Sequence, residues 1–171
     1  MTLPNDMPIP FPIVAKFVPN YAVGRAGRIP DTIVIHIAEG MRDSVYQQFL
    51  NHPFSTHFLV NQDGSIWQFV NTSNTAWGNG IVDNPTSETV LDRLPTNPNI
   101  YTISIEHEGF SKADINDVQY QASSSLVKFL SQKWGILLDA THVIPHHQIE
   151  YKKSCPGMID VSRILMLARA V

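Results

Sequence analysis

The run Thr32-Ile33-Val34-Ile35-His36-Ile37 limits the possible folds more than any other part of the chain. All but His36 are β-branched, a residue type that loses rotamer freedom in a helix and packs well on a pleated surface. Apolar side chains occupy successive positions rather than alternate ones, so both faces of the strand need cover. The run therefore reads as a buried central strand ending before Gly40. A sheet covered on both sides calls for helices, which puts the chain in the α/β class.

The rest of the sequence supplies them. Met41, Val45, Phe49 and Leu50 recur at helical spacing, and Pro53 ends that helix. The segment STHFLVNQDGSIWQFV reads as two strands joined by Asn61 to Gly64, with Asp63-Gly64 as the hairpin signal. Residues 71–99 are rich in Asn, Thr, Pro and Gly and read as long surface loops bordering a cleft. In NIYTISIEHEG, Ile103 and Ile105 point one way while Ser104, Glu106 and Glu108 point the other, giving a strand with a polar face. From Asp114 to Trp134 the residues Ile115, Val118, Ala122, Leu126, Phe129, Leu130 and Lys133 follow a helical period, and Gly135 is the stop. Asp160 reads as the N-cap of a terminal helix packed by Ile164, Leu165 and Leu167 or Ala168. The expected architecture is a single α/β domain over residues 1–171, a central mixed sheet flanked by helices with no linker.

Composition narrows function. A chain of 171 residues with 43% apolar and 16% charged residues buries one core. A net charge of -3 gives no broad basic surface for nucleic acid or anionic lipid. No stretch reaches the ~20 apolar residues of a membrane span. The N-terminal MTLPNDMPIPFPIV lacks a basic region and is broken by prolines, so it does not read as a signal peptide. The single cysteine, Cys155, makes no internal disulfide and is free for packing, reaction or a metal.

That cysteine lies in VIPHHQIEYKKSCPG, Val143 to Gly157, with His146, His147, Lys152 and Lys153. A catalytic zinc takes three nitrogen, sulfur or oxygen ligands and keeps a fourth position open. A histidine and a cysteine nine residues apart, His146 and Cys155, supply two. His36, at the end of a rigid buried strand, is the best-placed third. Each residue also has an ordinary reading: a satisfied core histidine, a small buried hydrophobe and a surface loop pair. A structural zinc site usually has four protein ligands, and only three are evident. A cysteine peptidase using Cys155 and His146 would want the thiol at a helix N-terminus, and Pro156-Gly157 intervene.

The ordered set IVIH, STHFLVNQDGSIWQFV, NTAW, ISIEHEG and PHHQIEYKKSCPG, spanning roughly Thr32 to Arg163, resembles the zinc-dependent N-acetylmuramoyl-L-alanine amidases, a family that includes phage endolysins and is related to peptidoglycan recognition proteins. The resemblance implies zinc held by His36, His146 and Cys155. His146 is preferred to His147 because Ile149 follows it by three places. Glu106 takes the place of the acidic residue that takes water's proton and passes it to the leaving amine, with Glu108 second, and Lys153 that of the group that holds charge on the carbonyl oxygen. Trp77 is a platform for sugar or peptide, or part of the core; His57 lines the substrate cleft, or is structural. Many relatives have His after Ala-Trp where this chain has Gly78. The implied reaction is hydrolysis of the amide between the lactyl group of N-acetylmuramic acid and L-alanine of peptidoglycan, with a non-catalytic peptidoglycan-binding module as the alternative. The implied partner is a muramyl peptide, with no nucleic acid and no membrane insertion. The implied place of action is the bacterial cell wall, reached by phage-lysin-type release, as a processed domain, or in cytoplasmic recycling.

Overall fold

The computed structural model describes residues 12–170. In chain order its elements are β1 (Ile13–Ala15), β2 (Tyr21–Ala22), β3 (Thr32–Ile37), α1 (Arg42–Asn51), β4 (Phe58–Val60), β5 (Ile66–Gln68), β6 (Thr75–Ala76), α2 (Glu88–Leu91), β7 (Thr102–His107), α3 (Asp117–Trp134), β8 (Val143–Pro145) and α4 (Val161–Ala170). Six strands form one sheet in the order β1-β5-β4-β7-β3-β8, and β2 and β6 make a separate two-stranded ribbon. Every pair in the main sheet is parallel except the β4–β5 hairpin, so the sheet is mixed, as expected. All six residues of β3 are buried. The reading of the N-terminus as no signal peptide lies, for residues 1–11, outside the described residues. Within them, Ile13–Ala15 adds a parallel strand to β5 that the prolines had hidden.

Strand register divides the core, because paired residues project to the same side. Ile33, Ile35 and Ile37 of β3, Ile103 and Ile105 of β7, and Phe58 and Val60 of β4 face α3 and α4, in one apolar cluster with Leu126, Leu130, Ile164 and Leu165. On the other side Leu59 and Trp67 pack against Val45 and Phe49 of α1. Val34 and Ile144 pack there against Val90 of α2. Between these two patches, on the same side, lie His36 and its register partner Glu106.

The face of β7 carrying Ser104 and Glu106 is polar, as expected, and it is also buried: Ser104 is 1% exposed and the Glu106 side chain 14%. Two expectations are corrected. Helix α3 begins at Asp117 rather than Asp114, because Asn116 and Gln119 form a reciprocal capping box; Val118 then faces solvent, and Ile115 is buried in the loop before the cap. Residues 71–99 are not merely surface loop. They include β6 and α2 and bury Asn79, Thr89, Val90 and Asn99, held by local polar contacts that leave no hydrophobic period in the sequence. The terminal helix starts where Asp160 predicts, with its carboxylate accepting from Arg163 N–H at 3.1 Å, and Ala168 rather than Leu167 is the fully buried residue.

The hairpin turn depends on Gly64. Its φ is +81°, a left-handed conformation, and a Cβ built there would lie 2.7 Å from Cγ1 of Val118. Gly64→Ala is expected to destabilise the protein by about 1 to 2 kcal/mol from the backbone alone, plus the clash with the stiff valine. Urea unfolding checks this: adding Val118→Ala should recover the steric part of the loss and leave the backbone part.

Candidate active site

Parallel pairing of β3 with β7 sets His36 directly beside Glu106 near the carboxyl ends of both strands. The two are 3.9 Å apart from Nδ1 to Oε1. Cys155 arrives from the other side. Its sulfur accepts the Ile37 N–H at 3.3 Å and lies 3.7 Å from His36 Nδ1. His146 opens a 3-10 turn (His146–Gln148) directly after β8, so the parallel β3–β8 pairing delivers it to the same place. Its ring centroid lies 4.4 Å from that of His36. The His147 N–H donates to the Cys155 carbonyl at 2.9 Å, closing the loop and bringing His146 and the thiol to one point although nine residues separate them.

One donor atom from each of His36, His146 and Cys155 lies within 4.8 Å of the other two. A tetrahedral zinc with ligand bonds of ~2.0 to 2.3 Å would want its donors roughly 3.3 to 3.8 Å apart, so small side-chain rotations bring these three to bonding distance. Electrostatics fit the same reading. Burial, and then the neighbouring His146 and His107, push the His36 pKa well below its usual value; burial also lowers that of His146. Burial, followed by the charge of Glu106, raises the Cys155 thiol far above its ordinary range. Burial, followed by Glu39, lifts Glu106 to about 8. The site is thus a cluster of neutral groups, with His36 Nε2 and Glu106 Oε2 buried and lacking hydrogen-bond partners. A divalent cation would supply the positive charge these donors lack, and two imidazoles with one thiol are the ligand chemistry that zinc selects.

The structure sorts the other candidates. His147 is solvent-exposed and ties the loop together through its backbone N–H, which donates to the Cys155 carbonyl. Glu108 has both oxygens occupied: Oε1 accepts from Arg42 N–H at 2.9 Å and Oε2 from Gln62 N–H at 2.7 Å. It therefore caps the start of α1, where Met41 offers no side-chain cap, and both of its oxygens are committed to backbone N–H groups. Lys153 is half exposed, 3.9 Å from Glu150, and near enough for its charge to lower the pKa of both His146 and Cys155. Trp77 is 38% exposed, with its backbone bonded to Ser55. Gly78 follows where many relatives have His; a Cβ there would sit 2.8 Å from Ser104 Oγ and 3.0 Å from Ser55 O, so this chain passes too close to β7 for a side chain.

Sequence reasoning missed two supports. The His107 Nδ1 lies 2.9 Å from the His36 carbonyl and its Nε2 2.8 Å from Ser123 Oγ, tying the strand that carries His36 to α3. Asn79, whose carbonyl is 3.0 Å from His146 Nε2, was also missed. The glycines on either side of it, Gly78 and Gly80, were the available signal.

Residues 26–158 match the family model described as N-acetylmuramoyl-L-alanine amidase. Among solved structures, AmpD is 21% identical with a TM-score of 0.72, covering 91% of this chain and 93% of its own. A mutant endolysin from Bacillus subtilis is 23% identical with a TM-score of 0.60, covering 85% and 89%. AmiD from E. coli, solved with anhydro-N-acetylmuramic acid-L-Ala-D-gamma-Glu-L-Lys, is 23% identical with a TM-score of 0.60, over 73% of this chain and 51% of that one. These structural likenesses show a shared fold. No curated protein sequence matches significantly.

Of the two readings of His57, lining the substrate cleft or structural, its surroundings favour the structural one. The residue is fully buried; its Nδ1 accepts the Ser104 N–H at 3.0 Å and its Nε2 lies 3.1 Å from the Asn74 carbonyl and 2.9 Å from Arg25. The Ser104 bond requires a bare Nδ1, so the ring stays neutral. Burial and then the Arg25 charge lower its pKa to about 3. Because the folded value is depressed, the contribution to stability is complete above the unfolded value of 6.5 and is lost as pH falls from there toward 3. His57→Gln keeps an acceptor and a donor but removes the titration. Its unfolding free energy should fall less steeply than that of the natural protein between pH 6 and about 4, by up to ~1.4 kcal/mol per pH unit. Urea midpoints across that range check the slope, and parallel curves would contradict it.

Proposed function

Because this chain belongs to the N-acetylmuramoyl-L-alanine amidase family, with the family model spanning residues 26–158, we propose that its peptidoglycan amidase activity cuts the bond between the lactyl group of N-acetylmuramic acid and L-alanine, with zinc held by His36, His146 and Cys155. The observation that carries this reading is the convergence of these three donors beside a buried carboxyl. The AmiD ligand, a muramyl group joined to L-alanine, supports the choice of bond. A zinc ion at the three donors supplies Lewis acidity, which polarises a scissile carbonyl and makes water a stronger nucleophile near neutral pH.

The chain's own residues supply the proton transfers and the placement. Glu106 sits in a largely buried pocket that raises its pKa to about 8, so without a cation the carboxyl holds its proton; a cation at the three donors would favour the carboxylate, the form placed to take a proton from water and return it to the leaving amine. Lys153 brings a positive charge to the rim, suited to the negative charge that develops on the former carbonyl oxygen. Trp77, two residues before Asn79 and 38% exposed, offers aromatic surface for sugar or peptide. Cys155 acts as a ligand rather than a nucleophile, because burial keeps its thiol protonated without a cation beside it. The sheet and its flanking helices form the catalytic domain, which acts on cell-wall material. No helix among the described residues is long and apolar enough to cross a membrane.

Purified sacculi test the proposal. The protein should release muramyl-linked peptides with new N-terminal alanine, lose that activity to a chelator and regain it with zinc. Cys155→Ser should impair zinc retention. Glu106→Gln should bind zinc and sacculi yet lose roughly 10²- to 10⁴-fold in rate. Turnover that ignores chelator and stops on thiol alkylation would replace this reading with a cysteine peptidase. Binding to sacculi without product, in zinc-loaded protein, would replace it with a recognition module.

A further inference from the structure

We propose that Asn79 is a positioning residue that fixes the tautomer of both candidate zinc-binding imidazoles, His146 through its main-chain carbonyl and His36 through its side-chain oxygen; this rests on the zinc site proposed above. Asn79 is fully buried. Its N–H donates to Asn99 Oδ1 at 3.0 Å, and its side-chain Nδ2 donates to Thr102 Oγ1 at 2.8 Å. Backbone and side chain are thus both anchored, to the loop before β7 and to β7 itself.

A carbonyl oxygen only accepts. The 3.0 Å contact between Asn79 O and His146 Nε2 therefore requires the proton on Nε2 and leaves the lone pair on Nδ1. The side chain completes the pattern. With Nδ2 committed to Thr102, Oδ1 is the free end of the amide; it is buried and lacks a hydrogen-bond partner of good geometry. His36 Nε2 is buried and unpartnered in the same way. The Asn79 amide is also the hydrogen-bonding group that acts on the His36 ring. Pairing the two, with Nε2–H aimed at Oδ1, satisfies both atoms. It also leaves the lone pair on His36 Nδ1, the atom already 3.7 Å from Cys155 Sγ. One asparagine thereby leaves Nδ1 bare on both rings, with His36 Nδ1 beside the thiol.

The flanking glycines make this insertion possible. Gly78 passes too close to Ser104 and Ser55 for a Cβ, and Gly80 has φ +62° with Glu150 Oε2 3.1 Å from a built Cβ. Metal-binding histidines are commonly oriented by such a partner on their second nitrogen, and its loss typically costs about 10- to 100-fold in metal affinity.

The test has a metal-free and a metal-bound arm, both on the full chain. Imidazole ¹⁵N chemical shifts of the metal-free protein should show Nε2–H tautomers for both His36 and His146. Asn79→Ala removes the side-chain acceptor but keeps the carbonyl: His36 should become a mixture of tautomers while His146 is unchanged. Zinc affinity, measured by competition with a chromogenic chelator, should fall about 10- to 100-fold. Asn79→Asp, which restores an oxygen, should bring the His36 tautomer back. Nδ1–H on either ring of the natural protein would overturn the proposal, as would Asn79→Ala with unchanged His36 shifts and affinity. If Asn79→Ala does not fold, the spectrum of the natural protein decides alone. If the natural protein binds no zinc but shows the two tautomers, the positioning role stands and the zinc reading falls.

Discussion

The lateral pairing of β3 with β7, in parallel and in register, is the constraint on which the rest of the molecule depends. It makes His36 and Glu106 neighbours in a sheet whose opposite face is filled with isoleucine. Burial strips most of the solvent from both side chains, so each is pushed toward its neutral form. A sheet that buries an imidazole and a carboxyl side by side, each with an unpartnered atom, carries a local cost that a well-packed apolar pair would avoid. Such costs are retained where chemistry uses them.

The surrounding architecture brings two more groups to that point and keeps competing ones away. Strand β8 pairs on the far side of β3 and ends where His146 begins, and the turn back through Cys155 is closed by a backbone bond. Apolar clusters built on α1 and on α2 flank the polar patch on its own face of the sheet. Nearby ionisable groups with no place among the donors are bound elsewhere. Glu108 caps α1, His107 braces the backbone of β3, and His57 locks the loop at Asn74 to β7.

Much of this was legible before any coordinates. Five β-branched residues among the six from Thr32 to Ile37 announce β3, Asp63-Gly64 announces the hairpin, and the helical periods announce α1, α3 and α4. His36, His146 and Cys155 were singled out through the resemblance to the family's motifs, which also preferred His146 through Ile149, and the structure brings a donor atom of each within 4.8 Å of the others. Other features were not. Glu106 and Glu108 look alike in an alternating strand, and only the backbone N–H groups of Arg42 and Gln62 reveal that the second is a cap. His57 is silent in sequence because its partners, Arg25, Asn74 and Ser104, come from three distant segments. The region around Asn79 resisted reading because polar contacts hold it in place, and polar contacts leave no hydrophobic period to detect.

The account stands on two imidazoles and one sulfur binding a single zinc ion. X-ray absorption at the zinc edge of the loaded protein measures this directly. The account predicts one sulfur at about 2.3 Å and two imidazole nitrogens at about 2.0 to 2.1 Å. A shell with no sulfur, or with a single imidazole, would contradict it.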